Sequence, residues 1–496
     1  MALTRERPAP PPKAPRKNTV PDDVLEDASL TVFPELSGPQ VIGSRVRFLG
    51  VLMALAVGAL LFSYARLEWT LAEATVTPSN LRGAIKLRDG TVMAESFEPR
   101  KGDATVSSTE LLAGQVRRYP QGSLAGQVLG FKGRDKGLEG VEYFSEKTLG
   151  AGQDLTLTLD STIQATAEAT LEKEIIDQQA DAGSVIALEA GTGRLLAVAS
   201  YPRFNPERRE RYDGTQWLNR PFRNQFEPGS TMKALVAGAL INEGAVTPDT
   251  TVEAPMWRNV TGHIINDAIK HKEHLTLREV LRYSSNVGIS KLAESRLSEK
   301  TLHDYLVEYG IGQPMTLEGS SPARGSLRDW QSWRPIDHAT ATFGQGESTT
   351  TLQLVTAFSV LTNDGLLIPP RLIENAKVQP SKRVLSAQAA RTTRDMLRTA
   401  VEDGIPHLAA IPGYCVGGKT GTAQTAINGR YSSDVFGAIF AGFFPCDKPR
   451  VTMVVEIYNP KKQIHGSLVA APVFKEIAEE VLAHWGIAPK DVPSKK

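Results

Sequence analysis

Strand-forming runs stand at the two ends of a long region whose middle is helical, and this constrains the fold more than any other feature. Residues 183–202 read GSVIALEAGTGRLLAVASYP, two apolar β-type runs around a Gly-Thr-Gly turn. The next such runs are KTGTAQ (419–424), FGAIFAGFFP (436–445) and RVTMVVEIYNP (450–460). Between them, residues 231–243, 276–297, 301–310, 350–363 and 385–402 carry helical patterns. A long helical stretch also follows Asp160, a fair N-cap, and an amphipathic one runs through APVFKEIAEEVLAHW (471–485). The expected class is α+β. One antiparallel sheet, closed by segments far apart in sequence, is flanked by helices, with an all-helical subdomain beside it.

A chain of 496 residues suggests two or three domains. Residues 1–43 are polar and Pro-rich, so a disordered tail is expected. Residues 48–65 carry no charge, and a helix needs ~20 such residues to cross a bilayer. Arg45, Arg47 and the basic tail would hold the N-terminus on the cytoplasmic side. The rival readings of this stretch are a buried core helix and a cleaved signal peptide. The expected order is a tail (1–43), a membrane helix (44–67), a small β-rich pedestal (68–155), a main domain (156–486) and a C-terminal tail (487–496). Net charge is +1, which gives no basic excess for a nucleic-acid partner. The only cysteines, Cys415 and Cys446, lack metal-type spacing. His263, His271 and His274 read as a solvated loop or helix face, so no metal is expected.

Chemistry first shows at FEPGSTMKAL (226–235). Ser230 and Lys233 are one helical turn apart and share a face. A desolvated lysine near a second cation can lose its proton and serve as a base. A serine at a helix start also has N–H groups and the positive dipole end nearby. Two further segments bear on this pair. YSSNVG (283–288) places Ser284, Ser285 and Asn286 at a loop-to-helix corner, offering a proton relay and an amide. GGKTGTAQ (417–424) supplies Lys419 as the second cation. Its Gly421 lets a substrate backbone approach, and Thr420 and Thr422 flank it. Taken singly, these are also a helix cap, a turn and a hairpin. Taken together and in order, they match the S-x-x-K, S-x-N and K-T-G set of serine acyl-enzymes.

On these motifs the sequence resembles a class B penicillin-binding protein of the FtsI cell-division type. GQVLGFKG and KGLEGVE (within 126–142), AGSVIALEAGTGRLLAVASYPRFNP (182–206), NQFEPGSTMK (224–233), SSNVGISKLA (284–293) and ATFGQGESTTTLQL (341–354) extend the match. The resemblance implies the penicillin-binding transpeptidase fold and a D,D-transpeptidase acting on peptidoglycan stem peptides. Ser230 would be the nucleophile and Lys233 its base. Ser284 and Lys419 would pass a proton to the leaving amine. Lys419, Thr420 and Thr422 would hold the terminal carboxylate. Asn286 would position Lys233 and the donor amide, with Ser285 and Gly421 also lining the substrate. β-Lactams should acylate Ser230. The resemblance implies no cofactor. It implies a single-pass protein of the bacterial inner membrane at the division septum, facing the periplasm, with a polytopic glycosyltransferase as partner.

The sequence departs from the family in its pedestal. Leu87 stands where the family has Asp, which leaves a pedestal salt bridge without its acidic partner. The stretches between Arg82-Gly83 and Arg118-Tyr119-Pro120, and between Gly152 and LTLTLD, are short. If the strands after Gly417 form a hairpin, Cys415 begins the first and Cys446 ends the second, and a Cys415–Cys446 disulfide is expected. Two other functions compete. A serine β-lactamase would want a deacylating Glu, and Glu318 has Pro322 where Asn is expected. A β-lactam sensor or scaffold would want an internal signalling module.

Overall fold

The computed structural model describes residues 81–100, 114–427 and 430–490, together with residues 47 and 50–63 and the isolated positions 106 and 111. Residues 1–78 and 79–496 form separate units. In the first, residues 50–63 are helical and exposed. Among the described residues, no helix is long and apolar enough to cross a membrane. The rest of the expected span, and the tail before it, lie outside the described residues apart from Arg47.

The second unit begins with four short strands: β1 (Ile85–Lys86), β2 (Val92–Phe97), β3 (Val116–Arg118) and β4 (Leu155–Thr156). They pair in the order β3-β2-β1-β4, with β4 parallel to β1. The expected boundary at residue 155 therefore falls inside a strand of this sheet. Leu87 is buried here. Arg82 finds its acids elsewhere, pairing with Glu142 at 2.7 Å and Glu146 at 2.9 Å. Arg117 takes the other oxygen of Glu142 at 2.7 Å. The pedestal thus keeps a buried ion-pair network despite lacking Asp at position 87. Its Ile85, Met93, Val141 and Leu149 share one apolar core with Ile186 and Val198 of the main sheet.

The main sheet has five strands: β5 (Ala182–Glu189), β6 (Leu195–Tyr201), β7 (Gly417–Ile427), β8 (Arg430–Phe444) and β9 (Val451–Tyr458). Their order is β7-β8-β9-β5-β6, antiparallel throughout. The last strand in sequence, β9, lies beside the first, with Val451 opposite Glu189 and Tyr458 opposite Ala182. β7 is an edge strand.

The helices that matter here are α1 (Ser161–Gln178), α2 (Met232–Asn242), α3 (Leu277–Tyr283), α4 (Asn286–Arg296), α5 (Thr351–Thr362), α6 (Ala387–Asp403) and α7 (Ala470–His484). α1 and α7 cover one face of the sheet, packing Ile163, Leu171 and Phe474 on Phe440 and Val455. The Asp160 carboxylate caps α1, accepting from Thr162 and Ile163 N–H at 3.1 and 3.2 Å. On the other face lies α5, uncharged and wholly buried, with the Thr356, Ser359 and Thr362 hydroxyls donating back to carbonyls of the helix itself. Because both faces are covered, β5, β6 and β9 are buried almost end to end.

The helical stretch over 276–297 is two helices that meet at the corner expected for Ser284–Asn286. One feature differs from the sequence reading. The expected C-terminal tail is held down as far as Lys490. Tyr414 Oη donates to the Ile487 carbonyl at 2.7 Å, and Lys490 N–H donates to Gly413 at 2.8 Å. Cys415, just before β7, is joined to Cys446, just after β8, in a disulfide, and the Cys446 N–H donates to the Cys415 carbonyl at 2.8 Å.

Candidate active site

Residues 229–231 make a short 3-10 turn that runs straight into α2. Gly229 has φ +55°, a region that glycine enters freely. Its N–H donates to the Gly344 carbonyl at 3.0 Å. Ser230 does not cap α2, since the turn and the helix have no side-chain cap. Instead its Oγ lies 2.9 Å from Lys233 Nζ. Lys233 itself is fully buried on the first turn of α2. Its Nζ also reaches the Ser284 carbonyl at 2.6 Å and Ser284 Oγ at 3.1 Å. A neutral amine has two N–H donors and one lone pair. Two donated bonds to Ser284 leave that lone pair for the Ser230 hydroxyl.

Lys419 comes from β7 and is also buried. Its Nζ donates to Ser284 Oγ at 2.8 Å and to the Thr420 carbonyl at 3.1 Å. Ser284 Oγ therefore bridges the two lysines. Burial lowers Lys419 to about 7. Lys233 falls well below the usual lysine range through burial first and the Lys419 charge second, with Asp267 opposing. Two ammonium groups so close and so dry cannot both stay charged cheaply.

Ser284 closes α3 in the left-handed region, φ 57° and ψ 40°. Ser285 then caps α4, its Oγ accepting from Gly288 N–H at 2.8 Å. This corner rests on Asp267, which precedes it by a loop and α3. Asp267 Oδ1 accepts from Asn286 N–H at 2.5 Å and from Val287 N–H at 3.0 Å. Oδ2 accepts from Ser285 Oγ at 2.5 Å. The first-turn donors of α4 are thus satisfied by one carboxylate and one hydroxyl. His271 Nε2 reaches the same Oδ2 at 2.9 Å, and its Nδ1 faces the Lys272 carbonyl at 2.8 Å.

Of the expected site residues, Ser230, Lys233, Ser284 and Lys419 meet in one bonded cluster. Lys233 Nζ makes no hydrogen bond to Asn286 in it. Asn286 Nδ2 donates to the Asn266 carbonyl at 2.8 Å, and Ser284 makes the Lys233 contact. On β7, a side chain at Gly421 would come 3.0 Å from the Pro228 carbonyl, so glycine there lets the nucleophile's turn lie close against the strand. Thr420 is buried, and Thr422 Oγ1 accepts from Gly466 N–H at 3.4 Å. The sequence reading of His271 as solvated is corrected, because its side chain is fully buried against Asp267. His263 and His274 are exposed. Among the described residues, no group of acidic, His or Cys side chains is placed to hold a metal. Asp267 was missed from sequence. The only signal was an Asp ahead of a serine-rich corner, which loops supply often.

Residues 183–479 match the penicillin binding protein transpeptidase domain. A protein of Neisseria gonorrhoeae described as a probable peptidoglycan D,D-transpeptidase PenA is 35% identical over 75% of this chain and 69% of its own length. The peptidoglycan D,D-transpeptidase FtsI of Escherichia coli is 31% identical over 75% of this chain and 68% of its own. Among solved structures, penicillin binding protein 3 of Mycobacterium tuberculosis in complex with ampicillin is 30% identical. It superposes with a TM-score of 0.77 over 83% of this chain and 97% of that one.

Proposed function

The chain belongs to the penicillin binding protein transpeptidase family, in its class B, FtsI-type branch, and from that premise we propose that Ser230 is its acylating nucleophile. The observation that carries this is the 2.9 Å contact between Ser230 Oγ and a buried Lys233 Nζ. The reaction is D,D-transpeptidation of peptidoglycan stem peptides. Neutral Lys233 takes the Ser230 proton as Oγ attacks the carbonyl of the penultimate D-Ala. The Ser230 and Thr422 N–H groups hold the oxyanion. The C–N bond to the terminal D-Ala breaks, and its nitrogen takes a proton from Lys233 by way of Ser284. An amine from a second stem peptide then attacks the ester. The new amide forms, the amine's proton leaves by the same relay, and Ser230 recovers its hydrogen. Lys419, Thr420 and Thr422 hold the terminal carboxylate. Asn286 shapes the substrate side of the corner, Ser285 holds that corner from beneath, and Gly421 gives room.

A β-lactam presents a strained amide in place of the D-Ala-D-Ala bond, and its ester on Ser230 is the stable end point. The relative that carries ampicillin supports this reading. Residues 1–43 are taken as a cytoplasmic tail and 44–67 as a single membrane helix, which sets residues 68–496 outside, at the division septum of a bacterial inner membrane. The partner is a polytopic glycosyltransferase. The hydrolase alternative has little support, because Glu318 is exposed.

The test is labelling of the full-length chain with a fluorescent penicillin. Wild type should form an adduct that outlasts a gel, and Ser230→Ala should form none. Equal labelling of both would overturn the role of Ser230, and rapid adduct loss would favour the hydrolase.

A further inference from the structure

Two large apolar side chains stand in water beside the catalytic corner. Trp257–Val260 and His263–Asn266 form a two-stranded antiparallel hairpin. Trp257 lies opposite Asn266, and Asn259 opposite Ile264. Side chains alternate along a strand, so Trp257, Asn259, Ile264 and Asn266 share one face. Trp257 is 59% exposed and Ile264 52%. The opposite face serves the fold. Val260 and Ile265 join the main core, and Arg258 pairs with Glu294 of α4 at 2.5 Å.

The hairpin is fixed at both ends. Thr261 and Gly262 both have positive φ, 47° and 92°, as a tight two-residue hairpin turn requires. Asn259 Oδ1 closes that turn, accepting from Gly262 N–H at 2.7 Å. At the other end the Asn266 carbonyl takes the Asn286 amide at 2.8 Å. The next residue, Asp267, accepts from the first N–H groups of α4. The hairpin thus leads straight into the corner that holds Ser284.

A single apolar side chain on a surface needs no explanation, but a Trp and an Ile grouped beside an active site do. The face carries no charged side chain, only the indole, Ile264 and the exposed amides of Asn259 and Asn266. It is also small, far below the ~20–30 residues a side of a standard protein interface. A sugar ring suits it. The C–H face of a pyranose packs flat on an aromatic ring, while its hydroxyl and acetamido groups meet amides. A sugar is also what the substrate brings with it. In a pentapeptide stem, three residues separate D-Ala-D-Ala from the sugar and span ~10 Å when extended. Trp257 stands one hydrogen bond and one cross-strand step of ~5 Å from Asn286. We propose that the Trp257 face of this hairpin is a platform for the amino sugar that bears the donor stem peptide. The inference rests on the transpeptidase reading and adds a carbohydrate subsite to it.

The test uses the full-length chain in detergent and two donors, a pentapeptide stem ending in D-Ala-D-Ala and the same stem on its N-acetylated disaccharide. D-Ala release is followed at a fixed excess of one common amine acceptor. Wild type should prefer the disaccharide donor by about 10-fold in kcat/KM, within the range of one aromatic anchor, with the gain in KM. Trp257→Ala should bring the preference within about two-fold, and Trp257→Phe, which keeps a stacking ring, should retain most of it. A merely structural defect would slow both donors together and leave the preference intact. Equal use of both donors by wild type overturns the platform and leaves the face to a protein contact. A preference that survives Trp257→Ala overturns it too. Fluorescent-penicillin labelling separates the two levels. Wild type that fails to label sinks the transpeptidase reading itself. Wild type that labels but ignores the sugar sinks only the platform. If Trp257→Ala no longer labels, Ile264→Ser carries the comparison.

Discussion

At the scale of single residues, the two buried lysines set both activity and its cost. Lys233 can take the Ser230 proton only when neutral, so acylation should fall as pH drops through its lowered pKa. Lys233→Arg cannot give up its proton and should lose about 10²–10⁴ in acylation rate, read by stopped-flow with a chromogenic β-lactam. The stability effect has a definite sign. Lys419 titrates at about 7 when folded and at 10.5 when unfolded. Between those values the unfolded chain binds more protons, so stability rises with pH across that window and is lowest below it. Lys419→Met should remove this dependence and raise Tm at pH 7 by several degrees while acylation collapses, and melts at several pH values would measure it. These lysines were legible in sequence because each sits at a fixed offset in a motif. Asp267 was not, because only the fold brings its carboxylate under the Ser284–Asn286 corner.

Among the elements, the corner between α3 and α4 matters most. A helical pattern runs through 276–297 in sequence, yet the structure breaks it, because Asp267 offers the α4 N–H groups better partners than a continuous helix would. Asp267→Asn should therefore cost about 1.5–3 kcal/mol, the range for hydrogen bonds to a charged group, measured by urea unfolding. It should also act on chemistry. The Asp267 charge raises the Lys233 pKa against burial and Lys419, so its removal lets that pKa fall further. The acid limb of the acylation profile should move to lower pH, whereas a purely structural defect would lower the rate without moving the limb. The sequence marked Ser284 and Asn286 correctly as residents of this corner. In it the Asn286 amide donates to the Asn266 carbonyl, a partner no local pattern announces.

On the scale of the whole molecule, pedestal and main domain are less separable than the sequence suggested. β4 pairs with β1, and one apolar core runs through both parts. Residues 81–490 should therefore unfold in a single calorimetric transition, and deleting 81–150 should lower Tm rather than leave the main domain intact. The disulfide adds to this. Closing a loop with a sequence separation of 31, it is worth about 3–4 kcal/mol on chain-entropy grounds, and Cys415→Ser should cost up to that in a urea melt. The sheet was legible in outline, five strands in two groups, because apolar β-branched runs between turn signals are local. Its order was not, because strand order is decided by packing. That order has a consequence for how the chain is made. β5 emerges early in synthesis, but its neighbour β9 follows roughly 260 residues later. At about 5–20 residues per second, β5 waits on the order of tens of seconds with an apolar edge unpaired. Lys419 arrives in that same late segment. A nascent chain therefore carries its nucleophile long before it carries the second cation, and the enzyme stays silent until that segment is made.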